Sequence, residues 1–435
     1  MSDVDLMLRF MVQILVVLAA CRLIGWLGQR FLGQTQVVME MVVGVCLGPS
    51  LLGAFYPSVQ AWLFPGEKVA EIGGVAVRHP SMGVLYVVAQ LGLVLYMFLV
   101  GTEFDIALIT KRARGAASVS LAGIILPFAL GAIAAAVLLR SGHTNLFAPS
   151  VSVSEAALYM GASMCITAFP MLARILYERG IAKTEMGVLA LGAGAADDAA
   201  AWALLAVVLA SYKHKIEYAL FAVVGGALFA IVTMTLGRRA FARFGEKINA
   251  GAEMTQQKFG FVLLFLFAGA WLTDALGIYA VFGAFIIGAA MPRGRFVEAL
   301  RSRIEPVTVG LFLPFFFVYS GLNTKLGLLD SPAMWGICLM LCGAAMLGKF
   351  GGCTLAARWS GEPWREACAI GTLMNARGLM ELIILNIGLQ QGVITPTLFT
   401  MLTIMAILTT LMASPIFNWL YSDKRSFYRP AVETA

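Results

Sequence analysis

Apolar stretches of about twenty residues, separated by short polar or glycine-rich breaks, run from one end of this chain to the other. A helix that crosses a lipid bilayer needs about 20 such residues. Of the 435 residues, 60% are hydrophobic and only 13% are charged, whereas soluble domains carry about 25% charged residues. The sequence therefore predicts an all-α polytopic membrane protein. It excludes a disordered chain and a disulfide-rich secreted domain, which need different compositions.

The hydropathy of the apolar stretches and the polar or glycine-rich breaks between them predict thirteen membrane-spanning helices. Their approximate ranges are 7–28, 36–54, 82–101, 116–139, 157–178, 186–211, 216–236, 258–275, 277–292, 307–323, 332–357, 366–389 and 396–419. The stretch over 55–81 is rich in glycine and proline and is predicted to be a long loop. We expect one transmembrane domain over residues 1–421 and a short cytoplasmic tail over 422–435.

Lysine and arginine residues are distributed unevenly between alternate loops. With the N-terminus outside, the predicted inner loops and tail contain 20 of the 31 basic residues, the outer loops contain six, and five lie within predicted spans. This is the positive-inside pattern, and it predicts a multi-pass protein of the cell inner membrane with a cytoplasmic C-terminus. The basic residues behind the net charge of +7 lie mainly in the predicted inner loops, where they set the topology and attract anionic lipid. No nucleic-acid partner is therefore expected.

Cysteines and histidines do not form a metal-binding pattern. The seven cysteines lie mostly in apolar stretches with no Cys-x-x-Cys pair, and the three histidines lie in predicted loops. We therefore expect no resident metal and no cofactor.

Two adjacent carboxylates, Asp197 and Asp198, lie near the middle of the predicted helix 186–211. An ionised side chain at this depth costs at least about 2.5–3.5 kcal/mol, so it usually faces a cavity or a partner. Consecutive helical positions point about 100° apart, so we expect one carboxylate to face a water-filled funnel and the other to face a neighbouring helix. The alternative is a buried polar pair that only ties helices together.

Lys349 lies a little inside the centre of its predicted span. A buried cation needs an anion, and the mid-membrane candidates are Asp197, Asp198, Glu40 and Glu381. We expect a pair with one aspartate of the doublet. The alternative is a lysine that snorkels to the inner interface.

Two predicted spans are interrupted near their middles. The residues at the two breaks are Thr167, Pro170, Asn375, Arg377 and Gly378. Broken helices in corresponding positions of two halves are the best sequence indication of a transporter binding site, although Pro170 alone is also compatible with a simple kink. If the breaks cross, the exposed half-helix ends need compensating charge, and Arg377 with Glu381 is expected to supply it.

Two further groups of acids lie outside these features. Glu103 and Asp105 close the third span just before Lys111, Arg112 and Arg114, and are predicted to form an interfacial charge network. Glu40 is a helix-buried acid that lines either the cavity or an interface.

The residues around the doublet and the two breaks resemble one family. The runs 165–176 and 374–382 and the Asp197–Asp198 helix are similar to motifs of the monovalent cation:proton antiporter-2 superfamily, closest to plant-type cation/H⁺ exchangers and their bacterial relatives. The resemblance implies the sodium/proton antiporter fold, with about thirteen helices, inverted repeats and two crossing broken helices. It also implies a homodimer, a dimerisation subdomain and a moving core that includes about 82–211 and 307–419.

The same resemblance assigns roles to individual residues. Asp198 matches the aspartate that binds the transported cation and the proton, and Thr167 lies at the crossing beside it. Asp197 matches the acid that alternates between a proton and an ion pair with a lysine, here Lys349, in electrogenic members. Many plant-type exchangers have Asn in place of Asp197, so the aspartate favours the electrogenic subgroup. The nucleotide-binding domain of glutathione-gated potassium efflux members is missing, so such gating is not expected.

The expected function is antiport of Na⁺ or K⁺ against protons by alternating access, with both ions competing for Asp198. One alternative is a channel-like K⁺ efflux protein on the same fold. A membrane-embedded Asp-rich enzyme is disfavoured, because alanines at 199–201 replace the third acid of such a motif and two alanines separate Gly194 from Asp197. We therefore expect a transporter and not an enzyme.

Overall fold

Helices form almost all of the structure, and most of them correspond to the predicted apolar stretches. The computed structural model describes residues 2–32, 34, 36–65, 70–72, 75–77, 79–103, 112–142, 144–169, 172, 175–176, 181, 184–212, 216–277 and 279–420. Within these residues, nine helices are long and apolar enough to cross a membrane. Four more of the predicted spans correspond to helices outside this set of nine. These helices are Val153–Cys165, Glu185–Tyr212, Ala280–Ala289 and the pair Trp364–Met374 with Leu379–Gln390. The chain is a multi-pass membrane protein with about thirteen helical segments.

The first half of the chain contains a small hairpin in addition to its helices. The helices are α1 (Asp3–Leu32), α2 (Gln36–Leu47), α3 (Leu52–Phe55), α4 (Pro57–Leu63), α5 (Pro80–Glu103), α6 (Ala113–Arg140), α7 (Val153–Cys165) and α8 (Glu185–Tyr212). Strands β1 (Ala70–Ile72) and β2 (Val75–Val77) pair antiparallel. The predicted long loop over 55–81 therefore contains a helix and a hairpin. The two strands flank a Gly-Gly pair in the sequence, which is a hairpin signal.

In the second half, several long helices contain a single π-helical turn. The helices are α9 (Ile216–Val232), α10 (Arg238–Asn249), α11 (Gln256–Ala275), α12 (Ala280–Ala289), α13 (Arg295–Val307), α14 (Leu313–Leu322), α15 (Pro332–Met346), α16 (Gly352–Trp359), α17 (Trp364–Met374), α18 (Leu379–Gln390) and α19 (Pro396–Leu420). The π turns Thr233–Gly237, Thr308–Phe312 and Leu347–Gly351 join α9 to α10, α13 to α14 and α15 to α16. Gly277, with φ of 81°, separates α11 from α12, as the sequence predicts.

The chain folds into two compact units. The first unit comprises Met1–Ala20, Ser58–Asp105 and Leu209–Tyr319. The second unit comprises Cys21–Pro57, Ile106–Val208 and Ser320–Ala435. Both interrupted helices and the aspartate doublet belong to the second unit, so the candidate site is contained within it.

In the first unit, α5 and α12 pack with their backbones in close contact. A methyl group at Gly101 would overlap the carbonyl oxygen of Phe285, and a methyl group at Gly288 would overlap the carbonyl oxygen of Phe98. Small residues allow this close approach between membrane helices, where packing replaces the hydrophobic effect as the driving force. Larger side chains fill the surrounding core, including Leu266, Phe296 and Leu300.

In the second unit, glycines bring α6 close to two neighbours. A methyl group at Gly131 of α6 would lie 2.6 Å from the carbonyl oxygen of Met160 in α7. A methyl group at Gly352 of α16 would lie 2.8 Å from the carbonyl oxygen of Ala122 in α6. These contacts hold α6 beside the broken helix and beside the helix that contains Lys349.

We expect Gly101→Ala to lower the unfolding temperature of the protein in detergent, because the added methyl group must displace the backbone of α12. Overpacking of this kind typically costs about 1–3 kcal/mol. Gly83→Ala is the matched control in the same helix, since a methyl group there has no neighbour within 4 Å. Equal unfolding temperatures for the two variants, measured by differential scanning fluorimetry, would contradict the close contact.

Candidate cation-binding site

The two interrupted helices meet at their breaks. After α7 ends, residues 166–168 are not helical, and residues 376–378 between α17 and α18 are not helical either. The N–H of Ala168 donates to the carbonyl oxygen of Ala376 over 3.1 Å. The hydroxyl of Thr167 lies 3.0 Å from the carbonyl oxygen of Met374. The structure thus brings the two predicted breaks together. Pro170 lies outside the described residues.

Two buried cations bind the C-terminal end of α7. The guanidinium of Arg377 donates to the carbonyl oxygens of Ser163 (3.3 Å) and Met164 (2.6 Å). The ammonium of Lys349 donates to the carbonyl oxygen of Cys165. The last carbonyls of a helix have no partner within the helix and form its negative end. At this end, side chains from two other segments therefore supply both hydrogen bonds and positive charge.

Arg377 also forms an ion pair with Glu381, 3.2 Å from Nη1 to Oε2, and both side chains are fully buried. Glu381 lies in the first turn of α18, where a carboxylate is favoured by the positive end of the helix. Gly378 directly precedes this turn. The sequence expectation that these two charges lie at the ends of the half-helices agrees with this geometry.

Lys349 lies in the π turn between α15 and α16, a helix distortion that is frequent at functional sites. Its Nζ lies 2.5 Å from Oδ2 of Asp197 and donates to the carbonyl oxygen of Gly123 over 2.8 Å. With the Cys165 contact, three acceptors surround the ammonium. A methyl group at Gly123 would lie 2.6 Å from Sγ of Cys353 and 3.5 Å from Nζ itself, so a glycine is needed there.

Asp197 accepts hydrogen bonds on both carboxylate oxygens. Oδ1 accepts from the hydroxyl of Ser120 over 2.6 Å, and Oδ2 lies 2.7 Å from the hydroxyl of Thr167 in addition to the Lys349 contact. The sequence predicts Lys349 as the partner of this aspartate, places Thr167 beside Asp198 instead, and gives no role to Ser120. Ser118 and Ser120 lie on the same apolar helix, and the sequence pattern alone does not distinguish the buried serine from the exposed one.

Asp198 has different surroundings from its neighbour. The side chain is 1% exposed, and among the described residues neither carboxylate oxygen has a hydrogen-bond partner. Asp197 is equally buried, so neither carboxylate faces open water here. The doublet therefore contains one carboxylate with hydrogen bonds on both oxygens and one that is buried without a donor from the described ranges.

The structure also gives the partners of the other predicted acids. Glu103 forms an ion pair with Arg301 over 2.6 Å, and Arg301 also pairs with Glu305 over 3.1 Å, so Glu103 is part of a charge network. Arg112 bridges Glu185 and Glu362. Glu40 is buried in α2 and accepts a hydrogen bond from Gln36 over 3.0 Å. Asp105 lies outside the described residues.

The chain matches known proteins along nearly its full length. A family model described as the transmembrane sodium/hydrogen exchanger matches residues 9–422. The chain belongs to this family. The Na⁺/H⁺ antiporter NhaS4 of Synechocystis is 38% identical over 422 residues, which cover 96% of this chain and 98% of that protein.

A relative named for a different cation and a solved structure also match this chain. The K⁺/H⁺ antiporter 1 of Saccharomyces cerevisiae is 30% identical over 97% of this chain, which spans only 47% of that protein. Among solved structures, the sodium proton antiporter MjNhaP1 of Methanocaldococcus jannaschii has a TM-score of 0.56 at 14% identity, covering 96% of this chain and 97% of that one. The predicted fold class is confirmed by this likeness.

Asp197→Asn is expected to destabilise the folded protein, because it removes the counter-ion of a lysine that is 1% exposed. Breaking one partner of a buried pair typically costs about 3–5 kcal/mol. Adding Lys349→Met to this variant should recover most of the loss, since no uncompensated charge then remains. Thermal unfolding of the two single variants and the double variant in detergent measures the coupling, and strictly additive losses would show that the pair does not interact.

Proposed function

We propose that this family member exchanges a monovalent cation for protons, and that the two ions compete for Asp198. The observation that supports this most directly is the contrast within the doublet. Asp197 is bound by Ser120, Thr167 and Lys349, whereas both oxygens of Asp198 are buried and receive no hydrogen bond from the part of the chain that the structure describes.

A buried carboxylate of this kind favours exchange for a physical reason. An ionised carboxylate in a low-dielectric interior is costly unless a positive charge neutralises it. A proton or a cation serves equally well, but one carboxylate does not hold both at once. If the site faces one side of the membrane at a time, release of one ion is coupled to uptake of the other.

The cation is proposed to be Na⁺ or K⁺. Relatives are named for either ion, and both are hard cations that prefer oxygen ligands. The hydroxyl of Thr167 and the backbone carbonyls at the crossing are oxygen donors close to the doublet. Asp197 is proposed to alternate between its ion pair with Lys349 and a protonated state, which would make the exchange electrogenic.

The loop charges and the family resemblance support a proposal for the arrangement in the membrane. We propose a location in the cell inner membrane with the N-terminus outside and residues 422–435 in the cytoplasm. We also propose a homodimer in which a core that includes about 82–211 and 307–419 moves against a dimerisation subdomain.

Asp198→Asn should abolish cation-dependent proton movement in proteoliposomes loaded with a pH-sensitive dye, while the protein remains folded. The variant cannot offer a negative charge to either ion. Asp274→Asn, an exposed aspartate at the end of α11, is the control and should exchange normally. Full exchange by Asp198→Asn would refute the proposal, and cation flux without proton movement in the wild type would favour the channel-like alternative.

Competition for one carboxylate predicts a specific pH dependence. As the pH on the cation side falls, the cation concentration for half-maximal exchange should rise, while the rate at saturating cation should stay the same. Parallel measurements with Na⁺, K⁺, Li⁺ and Rb⁺ would identify the transported ion. A maximal rate that falls with pH at constant half-maximal concentration would show that the proton acts at a different place.

A further inference from the structure

Several buried side-chain oxygens of the second unit lack a partner within the described residues, and three of them belong to Asp198 and Asn375. Both carboxylate oxygens of Asp198 and the amide oxygen of Asn375 have no hydrogen-bond partner among the described residues. Asp198 is 1% exposed and Asn375 is 4% exposed, so water does not solvate them from open solution. Buried acceptors without a donor are rare in folded proteins, and each one needs an explanation.

A continuous series of contacts links Asn375 to the doublet. Asp197 precedes Asp198 directly, and its Oδ2 lies 2.7 Å from the hydroxyl of Thr167. The same hydroxyl lies 3.0 Å from the carbonyl oxygen of Met374, the residue before Asn375. Ala376, the residue after it, accepts the N–H of Ala168. Asn375 is therefore positioned at the helix crossing, between two residues that contact the break in the other helix.

The side chain of Asn375 is not explained by the local structure. Its backbone N–H closes the last turn of α17 by bonding to the carbonyl oxygens of Gly371 and Thr372, each over 3.2 Å. The backbone groups of Met374 and Ala376 make the contacts across the crossing. None of these bonds uses the amide oxygen. An apolar residue at this position would avoid the cost of a buried acceptor.

We infer that the amide oxygen of Asn375 is a ligand of the transported cation, together with the carboxylate of Asp198. This inference rests on the proposed function and adds to it a residue that determines cation affinity and selectivity. Carboxylate and amide oxygens are ligands for hard cations. The amide oxygen is neutral, so it coordinates the cation without adding a second negative charge. A single monovalent cation then still neutralises the charge of the one carboxylate. The number and field strength of such oxygens influence the choice between Na⁺ and K⁺.

The test compares two variants of nearly equal size in proteoliposomes. Asn375→Leu removes the oxygen and keeps the volume, whereas Asn375→Asp keeps an oxygen in the same place. We expect Asn375→Leu to raise the half-maximal cation concentration by about tenfold or more, the effect of losing one bond to a charged group. The ratio of the values for Na⁺ and K⁺ should also change. Asn375→Asp should retain a half-maximal concentration close to that of the wild type at a pH low enough for one of the two carboxylates to be protonated, so that a single monovalent cation still balances the site.

Asn386→Leu is the matched control. Asn386 lies in α18 of the same unit, and its side chain is used in structural hydrogen bonds to Ser320 (2.8 Å) and Asn323 (3.2 Å). Its loss should lower the unfolding temperature and leave the half-maximal cation concentration and the Na⁺/K⁺ ratio unchanged. If Asn375→Leu does not fold, Asn375→Ala takes its place, with the same expectation for the half-maximal concentration.

Two results would overturn the inference. One is an unchanged half-maximal concentration and Na⁺/K⁺ ratio in Asn375→Leu. The other is equal losses in Asn375→Leu and Asn375→Asp that follow the loss of thermal stability, which would make Asn375 a structural residue. In either case an inactive Asp198→Asn leaves the proposed function intact, whereas an active Asp198→Asn removes the basis of both.

Discussion

The burial of polar groups at the helix crossing imposes the constraint on which the candidate site depends. Interrupting α7 exposes its last carbonyl groups in the membrane interior, where unpaired polar groups are costly. Arg377 binds two of these carbonyls, and Lys349 binds the third. Each buried cation then needs an anion, and Glu381 and Asp197 provide them. The break in one helix thus accounts for four buried charges.

The asymmetry of the aspartate doublet is a consequence of this arrangement. Asp197 neutralises Lys349 and is held in place by Ser120 and Thr167. Because consecutive side chains on a helix point in different directions, Asp198 does not share these donors. One carboxylate therefore maintains the local charge balance, and the other is the one to which we assign ion exchange. The close helix contacts at Gly123 and Gly131 contribute to the same arrangement, because they place α6 in contact with both Lys349 and α7.

Much of the site could be predicted from the sequence because charge is scarce in the membrane interior. Lys349 had few possible counter-ions, so its pair with the doublet could be inferred without coordinates. Ser120 could not be inferred, since serine is tolerated in any membrane helix and its role depends on which helices are neighbours. The partner of Glu103 within its predicted charge network could not be inferred for a similar reason. Arg301, almost two hundred positions later in the sequence, is its neighbour in space.

The sequence by itself determined that the chain is a multi-pass helical membrane protein with two interrupted helices and a few buried charges. These properties follow from hydropathy, proline, glycine and the high cost of charge in lipid, all of which act locally along the chain. Only the tertiary structure decided that Ser120 binds Asp197, which carbonyls the cations bind, and where Asn375 lies relative to Thr167. Those outcomes depend on contacts between helices that are distant in sequence, and the packing of small residues brings those helices together.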